Sequence, residues 1–112
     1  MTSAYLDKKG RPLVAVTGMG VVTSLGQGKA DNWAALTQGR SGIRRITRFP
    51  TEGLRTTIAG TVDFLDIGAF SAPALSIAMA LSAAREAIGE ARIGLPADFP
   101  GPLFLVTPPA EL

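Results

Sequence analysis

Neither cysteine nor histidine occurs anywhere in the 112 residues. Without cysteine the chain can form no disulfide, offers no thiolate to a metal and carries no thiol nucleophile. That absence fits a reducing compartment, and the cytoplasm is the expected location. Without histidine there is no imidazole base, so Ser24, Ser41 and Ser71 cannot belong to a serine-hydrolase triad. Charge is sparse as well: 18% of residues are charged and the net charge is +2, so no nucleic-acid partner is expected. The opening MTSAYLDKKGRP has no apolar run of leader length, and no cleaved signal is expected from it. From Ile67 to Ala84 the chain is free of charge for 18 residues, but Ser71, Pro73, Ser76, Ser82 and many alanines make a buried helix the expectation rather than a membrane span.

What is present suits a folded protein, since 46% of residues are hydrophobic. Residues 1–12 read as a loose lead-in closed by Gly10 and Pro12, and 13–112 as part of one domain. Leu13 to Thr17 is an apolar, valine-rich run expected to form a buried strand. Gly18 and Gly20 then permit a tight turn and a close backbone approach. A helix is expected over Lys29 to Gln38, with Trp33 and Leu36 on its inner face and Gly39 as its stop. Thr56 to Val62 reads as a strand whose Gly60 marks a nearby backbone. The longest helix runs from Ala72 to about Arg92. There Ile77, Ala80, Leu81, Ala84, Ile88 and Ala91 form one apolar stripe, with Ser71 as N-cap, Pro73 in the first turn, and Gly94 with Pro96 as the end. Leu103 to Val106 is expected as a third strand, stopped by Pro108 and Pro109. Strands alternating with helices imply an α/β fold, layered around a mainly parallel sheet. Three strands leave that sheet incomplete, with exposed edges and poor stability in isolation.

Several motifs fail on inspection. Gly18-Met19-Gly20 after a strand suggests a dinucleotide turn, but Thr23 stands where the third glycine belongs. Gly28-Lys29 suggests a phosphate loop, but Thr23 and Ala30 break its pattern. Glu86 and Glu90 lie one helical turn apart beside Arg85 and Arg92, which reads as a solvated charged face rather than a metal site; neither metal nor cofactor is expected. Lys29 is formally available as a base, without a motif to support it. Arg40, Arg44, Arg45, Arg48 and Arg55 crowd one region against the single acid Glu52. They form either a solvated basic loop or a surface that attracts an acidic partner.

The stretch LVAVTGMGVVTSLGQG is followed in order by Asn32-Trp33-Ala34-Ala35-Leu36 with Gly39, Ser41-Gly42-Ile43, Ile46-Thr47-Arg48-Phe49, and Ile58-Ala59-Gly60-Thr61-Val62 with Phe64. This series resembles the opening of the β-ketoacyl-acyl carrier protein synthases, the condensing enzymes of fatty acid synthesis. The resemblance implies a thiolase-like fold, a homodimer, and substrates delivered as acyl and malonyl thioesters of acyl carrier protein. It also implies catalysis by a cysteine and two histidines, so no catalytic residue transfers to this chain, which is expected to be inactive alone. Relatives place basic residues and a Met-Asp pair before the long helix, where this chain has Ile67 to Pro73. After the strand matching Leu103 to Val106, relatives carry a glycine-rich turn that shapes the acyl pocket. Here Thr107, Pro108, Pro109 and Ala110 stand in that place and are the candidate pocket turn. Arg44, Arg45 and Arg48 are the candidate contacts for the carrier. The alternative is a short non-catalytic module that binds acyl carrier protein or a partner synthase through the same arginines.

Overall fold

The computed structural model describes residues 5–94 and 101–106. Six elements follow one another: β1 (Val22–Thr23), β2 (Gly26–Gln27), α1 (Lys29–Thr37), β3 (Ile43–Arg45), β4 (Ile58–Gly60) and α2 (Ala72–Ala91). The strands form two antiparallel pairs, β1 with β2 and β3 with β4. The lead-in is more ordered than its composition suggests. The Asp7 carboxylate accepts from the amides of Lys9 and Arg11 and from Arg11 Nε, and Leu13 N donates to Tyr5 O, closing a turn over residues 5–13.

Helix α1 ends one residue before the expected boundary, and the reason is the anticipated one. Gly39 adopts φ +65°. Its N–H donates to Leu36 O, and Arg40 N donates to Ala35 O, the paired bonds of a Schellman motif. The inner face of α1 differs from the expectation: Trp33 and Leu36 are exposed, while Asn32 and Ala35 are buried. The cause lies in the β1–β2 hairpin. Asn32 Nδ2 donates to the carbonyls of Gly26 and Gly28, and Asn32 Oδ1 accepts from the Thr23 hydroxyl. A polar side chain on this face satisfies turn carbonyls that an indole could not reach.

Helix α2 begins as expected, with Ser71 Oγ accepting from Ala74 N and proline in the first turn. It stops at Ala91 because Arg92 takes a left-handed conformation at φ 55°, two residues before Gly94. Its contacting face is also shifted. Ile77 and Leu81, from the expected stripe, are exposed, its Ala80, Ala84, Ile88 and Ala91 are half-buried, and Leu75, outside it, is buried. The face carrying Ala83, Ala87 and Ala91 receives the glycine segment. A Cβ on Gly18 would overlap the Ala87 carbonyl oxygen, and one on Gly20 would overlap the Ala83 carbonyl. Neither glycine has positive φ. Close approach is therefore their role, and the expected tight turn is not.

Three strand expectations need correction. Leu13 to Thr17 is unpaired and open to solvent, with Val14 93% and Val16 80% exposed. Leu103 to Val106 is also unpaired, with Phe104 90% and Val106 98% exposed. Both runs have the unbroken apolar pattern of a strand covered on two faces, and the described residues supply no strand or helix to cover them. The third correction is β3, which forms inside the expected basic loop and pairs Ile43 with Gly60, Arg44 with Ala59 and Arg45 with Ile58. Thr56 to Val62 thus serves as a strand only over Ile58–Gly60, lengthened by the Ile46 N to Thr57 O bond of 2.8 Å. No parallel pair occurs among the described residues. The core is small, consisting of Ala35, Val62 and Leu75 with buried Asn32 and Thr61. No helix among the described residues is long and apolar enough to cross a membrane.

Two glycines near and within α2 should respond oppositely to the same substitution. Gly20→Ala should destabilise the chain by about 1–3 kcal/mol, because its methyl overlaps the α2 backbone. Gly89 lies inside α2 with nothing within 4 Å of a built Cβ, so Gly89→Ala should stabilise it by about 0.5–1 kcal/mol. Denaturant midpoints followed by circular dichroism check both signs.

Candidate functional site

The basic hairpin and the seam between α1 and α2 carry the polar groups that could support function. In the hairpin, alternation along β3 sends Arg44 to one face and Arg45 to the other. Arg44 Nη2 donates to Ser24 O at 2.7 Å, tying β3 to the β1–β2 turn. That turn is tightly seated: Gly42 is buried, and a Cβ there would overlap the Ser24 hydroxyl. Gly60 also faces Ser24, so the close neighbour expected at Gly60 is a side chain rather than a backbone. Arg45 is exposed and makes no ion pair among the described residues.

Arg48 is built in. Its Nε lies 3.0 Å from Asp63 Oδ1, its Nη2 donates to Val62 O, and its guanidinium stands 4.9 Å from the centre of the Phe70 ring. Asp63 Oδ2 also accepts from the Thr61 hydroxyl at 2.5 Å. Arg48 therefore joins the segment after β3 to the segment after β4 and to the residue before the α2 N-cap. The three candidate arginines are thus brought into one region with different freedom: Arg45 is free, Arg44 is bonded to a turn, and Arg48 is locked. Thr107, Pro108, Pro109 and Ala110 lie outside the described residues.

The seam holds a group that sequence reasoning assigned differently. Lys29 Nζ lies 2.9 Å from Glu86 Oε1 and 2.5 Å from Glu90 Oε2, and donates to Met19 O at 2.6 Å. Lys29 N donates to Glu86 Oε1, and Met19 N donates to Glu90 Oε2, both at 3.0 Å. Glu86 and Glu90 thus remain partly open to solvent, Glu90 the more so, but are paired with Lys29 rather than standing as an unpartnered charged face. Glu86 accepts the first amide of α1 and Glu90 accepts the Met19 amide, while the Met19 carbonyl accepts from Lys29 Nζ. Hydrogen bonds donated to Glu90, then to Glu86, hold the Lys29 ammonium above the ordinary lysine range and keep it protonated rather than available as a general base. The same bonds from Lys29 hold both carboxyls below the ordinary carboxylate range, helped at Glu90 by the Met19 amide. Separation in sequence concealed this cluster; the one local sign was an acidic pair one turn apart on α2.

Beside the seam, Met19, Val21, Leu25, Trp33 and Leu36 line an open, largely apolar groove of about 690 Å³. No group of three or more acidic residues that could hold a metal ion occurs among the described residues.

Comparison with known proteins bears on what this scaffold belongs to. The family described as "Beta-ketoacyl synthase, N-terminal domain" matches residues 12–99. A putative mitochondrial 3-oxoacyl-[acyl-carrier-protein] synthase of Schizosaccharomyces pombe is 36% identical over 70% of this chain and 22% of its own length. A 3-oxoacyl-[acyl-carrier-protein] synthase 2 of Coxiella burnetii is 39% identical over 66% of this chain and 19% of its own. A putative polyketide β-ketoacyl synthase 1 of Streptomyces cyaneus is 40% identical over 78% of this chain and 22% of its own. The chain thus spans about a fifth of the length of the curated relatives it matches.

The Lys29 cluster should make stability depend on pH at both extremes. Glu86 and Glu90 have lowered folded values, so their contribution is complete above the unfolded glutamate value of about 4.3 and disappears as pH falls through the lower folded values. Lys29 has a raised folded value, so its contribution is complete below about 10.4 and disappears as pH rises through the higher folded value. Melting temperature measured against pH should fall on the acid side in the parent chain and flatten there in a Glu86→Gln, Glu90→Gln variant.

Proposed function

Because this chain belongs to the β-ketoacyl synthase family, matching its N-terminal domain, we propose that it is the scaffold-forming part of an enzyme that condenses an acyl thioester with malonyl-acyl carrier protein in fatty acid synthesis. The carrying observation is the family match over residues 12–99, within which the motifs fall in the family's order. In such a condensation, the acyl group is held as a thioester on an enzyme cysteine. Malonyl carrier loses carbon dioxide, and the resulting carbanion attacks the acyl carbonyl and displaces the thiolate. This chain contains no cysteine or histidine to perform those steps, so its role is to build sheet, pocket wall and docking surface for residues it does not contain.

The exposed apolar runs support this reading. Leu13 to Val16 and Leu103 to Val106 have the composition of central strands and no cover, as expected of surfaces meant for other parts of a layered, thiolase-like domain. A homodimer, acyl carrier protein as partner and the cytoplasm as compartment belong to the same proposal; among the relatives are proteins named as mitochondrial and as chloroplastic. Thr107, Pro108, Pro109 and Ala110 are proposed as an acyl-pocket turn stiffened by proline.

For the carrier, whose surface is proposed to be acidic, Arg45 is the most available contact, Arg44 contributes from the other face of β3, and Arg48 mainly holds the surface in shape. The exposed basic strand also supports the second reading, a non-catalytic module that binds carrier or a partner synthase.

The purified 112-residue chain should show no condensation, and turnover above a no-enzyme blank would overturn the scaffold reading. Binding to acyl carrier protein, followed by titration calorimetry, should weaken as ionic strength rises. Arg45→Ala should reduce binding with stability unchanged, whereas Arg48→Ala should lower stability by about 1–3 kcal/mol through its lost charged hydrogen bonds. Binding that is insensitive to salt and to Arg45→Ala would remove the hairpin as the docking surface.

A further inference from the structure

Residues 13–17 and 103–106 leave their backbone as open as their side chains. Leu13 N donates to Tyr5 O, but no backbone group of residues 14–17 or 103–106 enters a hydrogen bond among the described residues. Both runs are uncharged, and a strand made from either would be apolar on both faces: Val14 and Val16 against Leu13 and Ala15, Phe104 and Val106 against Leu103 and Leu105. A bare edge of this kind is a template for another strand. The strand that suits it is also apolar on both faces, which β3 with Arg44 and Arg45 is not.

Charge beside the runs narrows the choice of partner. Lys8 and Lys9 stand exposed in the turn before residues 13–17 and make no ion pair among the described residues, whereas Arg11 is paired with Asp7. The sequence around residues 103–106 is acidic instead, with Asp98 before it, Glu111 after it and no basic residue between them. Pairing 13–17 with 103–106 therefore brings the lysines toward an acid in either strand direction, Asp98 if parallel and Glu111 if antiparallel. Pairing 13–17 with its own copy has no such match. The parallel form sets lysine beside lysine, and the antiparallel form runs the lysine turn onto residues 18–20, which are already seated on α2. Within one chain the two runs are not paired with each other.

We infer that two copies of this chain exchange these runs, residues 13–17 of each pairing with residues 103–106 of the other around a two-fold axis. A one-way contact would leave one run open at each end and add further copies without limit, whereas the reciprocal contact uses both runs of both copies and closes. The exchange belongs to the 112-residue chain, is separate from the basic hairpin and does not depend on the proposed condensing role.

Sedimentation equilibrium of the full chain should give twice the chain mass of 11.6 kDa, falling to the single mass on dilution. Val14→Lys, Val16→Lys should raise the dissociation constant severalfold and leave the circular dichroism of the single chain unchanged, because both side chains already stand in solvent there. The place of contact is read by disulfide trapping, which the absence of native cysteine makes specific. Chains carrying Ala15→Cys, mixed with chains carrying Phe104→Cys or Leu105→Cys, should link across the two kinds of chain at one of those positions when a thiol oxidant is added. The Ala15→Cys chain alone should link to itself far less. A chain carrying both cysteines should give linked dimers. A single mass at every concentration, a mass that grows beyond two copies, self-linking of Ala15→Cys equal to mixed linking, or a bond closed within one chain would each overturn the inference. The trapping decides the question even if the lysine variant fails to fold.

Discussion

The glycine segment must lie against α2 with no side chain between them, and much of the described structure follows from that close approach. Gly18 and Gly20 bring backbone to the Ala83 and Ala87 carbonyls, a distance that any Cβ would prevent. Immediately afterwards the chain enters β1, turns through Ser24 and Leu25 into β2, and starts α1 at Lys29. The segment, the hairpin and α1 are therefore placed relative to α2 through one contact. Lys29 returns to that contact and holds it from the α1 side through Glu86, Glu90 and the Met19 carbonyl.

A second set of bonds attaches the basic hairpin. Arg44 ties β3 to the Ser24 carbonyl, and Arg48 joins Asp63, the Val62 carbonyl and Phe70 next to the start of α2. Two of the candidate docking arginines are thus also structural, an economy available to arginine because one planar group offers several donors in fixed directions. Positive charge at the surface and mechanical attachment beneath it come from the same short stretch of chain. The division of labour among Arg44, Arg45 and Arg48 is consequently a property of their partners, since their residue type is the same.

Among the described residues Ala35, Val62 and Leu75 are the buried apolar core, and hydrogen bonds and ion pairs between elements carry much of the attachment. Its radius of gyration, 18.6 Å, exceeds the roughly 13 Å expected of a compact chain of this length. Long apolar side chains such as Val14, Val16, Phe104 and Val106 remain in solvent. This pattern agrees with a chain that spans about a fifth of the length of the curated relatives it matches.

Local chemistry by itself determined the helices. Ser71 before Pro73 starts α2, and Gly39 in a left-handed conformation ends α1, because caps depend on the residues within a single turn. The ordered motifs were likewise enough to indicate the family, as they survive without reference to shape. Tertiary structure alone decided the rest. Whether Leu13 to Thr17 pairs depends on strands distant in sequence, and periodicity cannot report their absence. Which face of α1 turns inward goes with the Gly26 and Gly28 carbonyls, to both of which the Asn32 side-chain amide donates. The meaning of Glu86 and Glu90 was decided by a lysine 57 residues away from the first of them, brought within hydrogen-bonding distance by the fold. An isolated acidic pair on a helix reads as a solvated surface, because sequence records which charges are present and only the folded chain determines which of them meet.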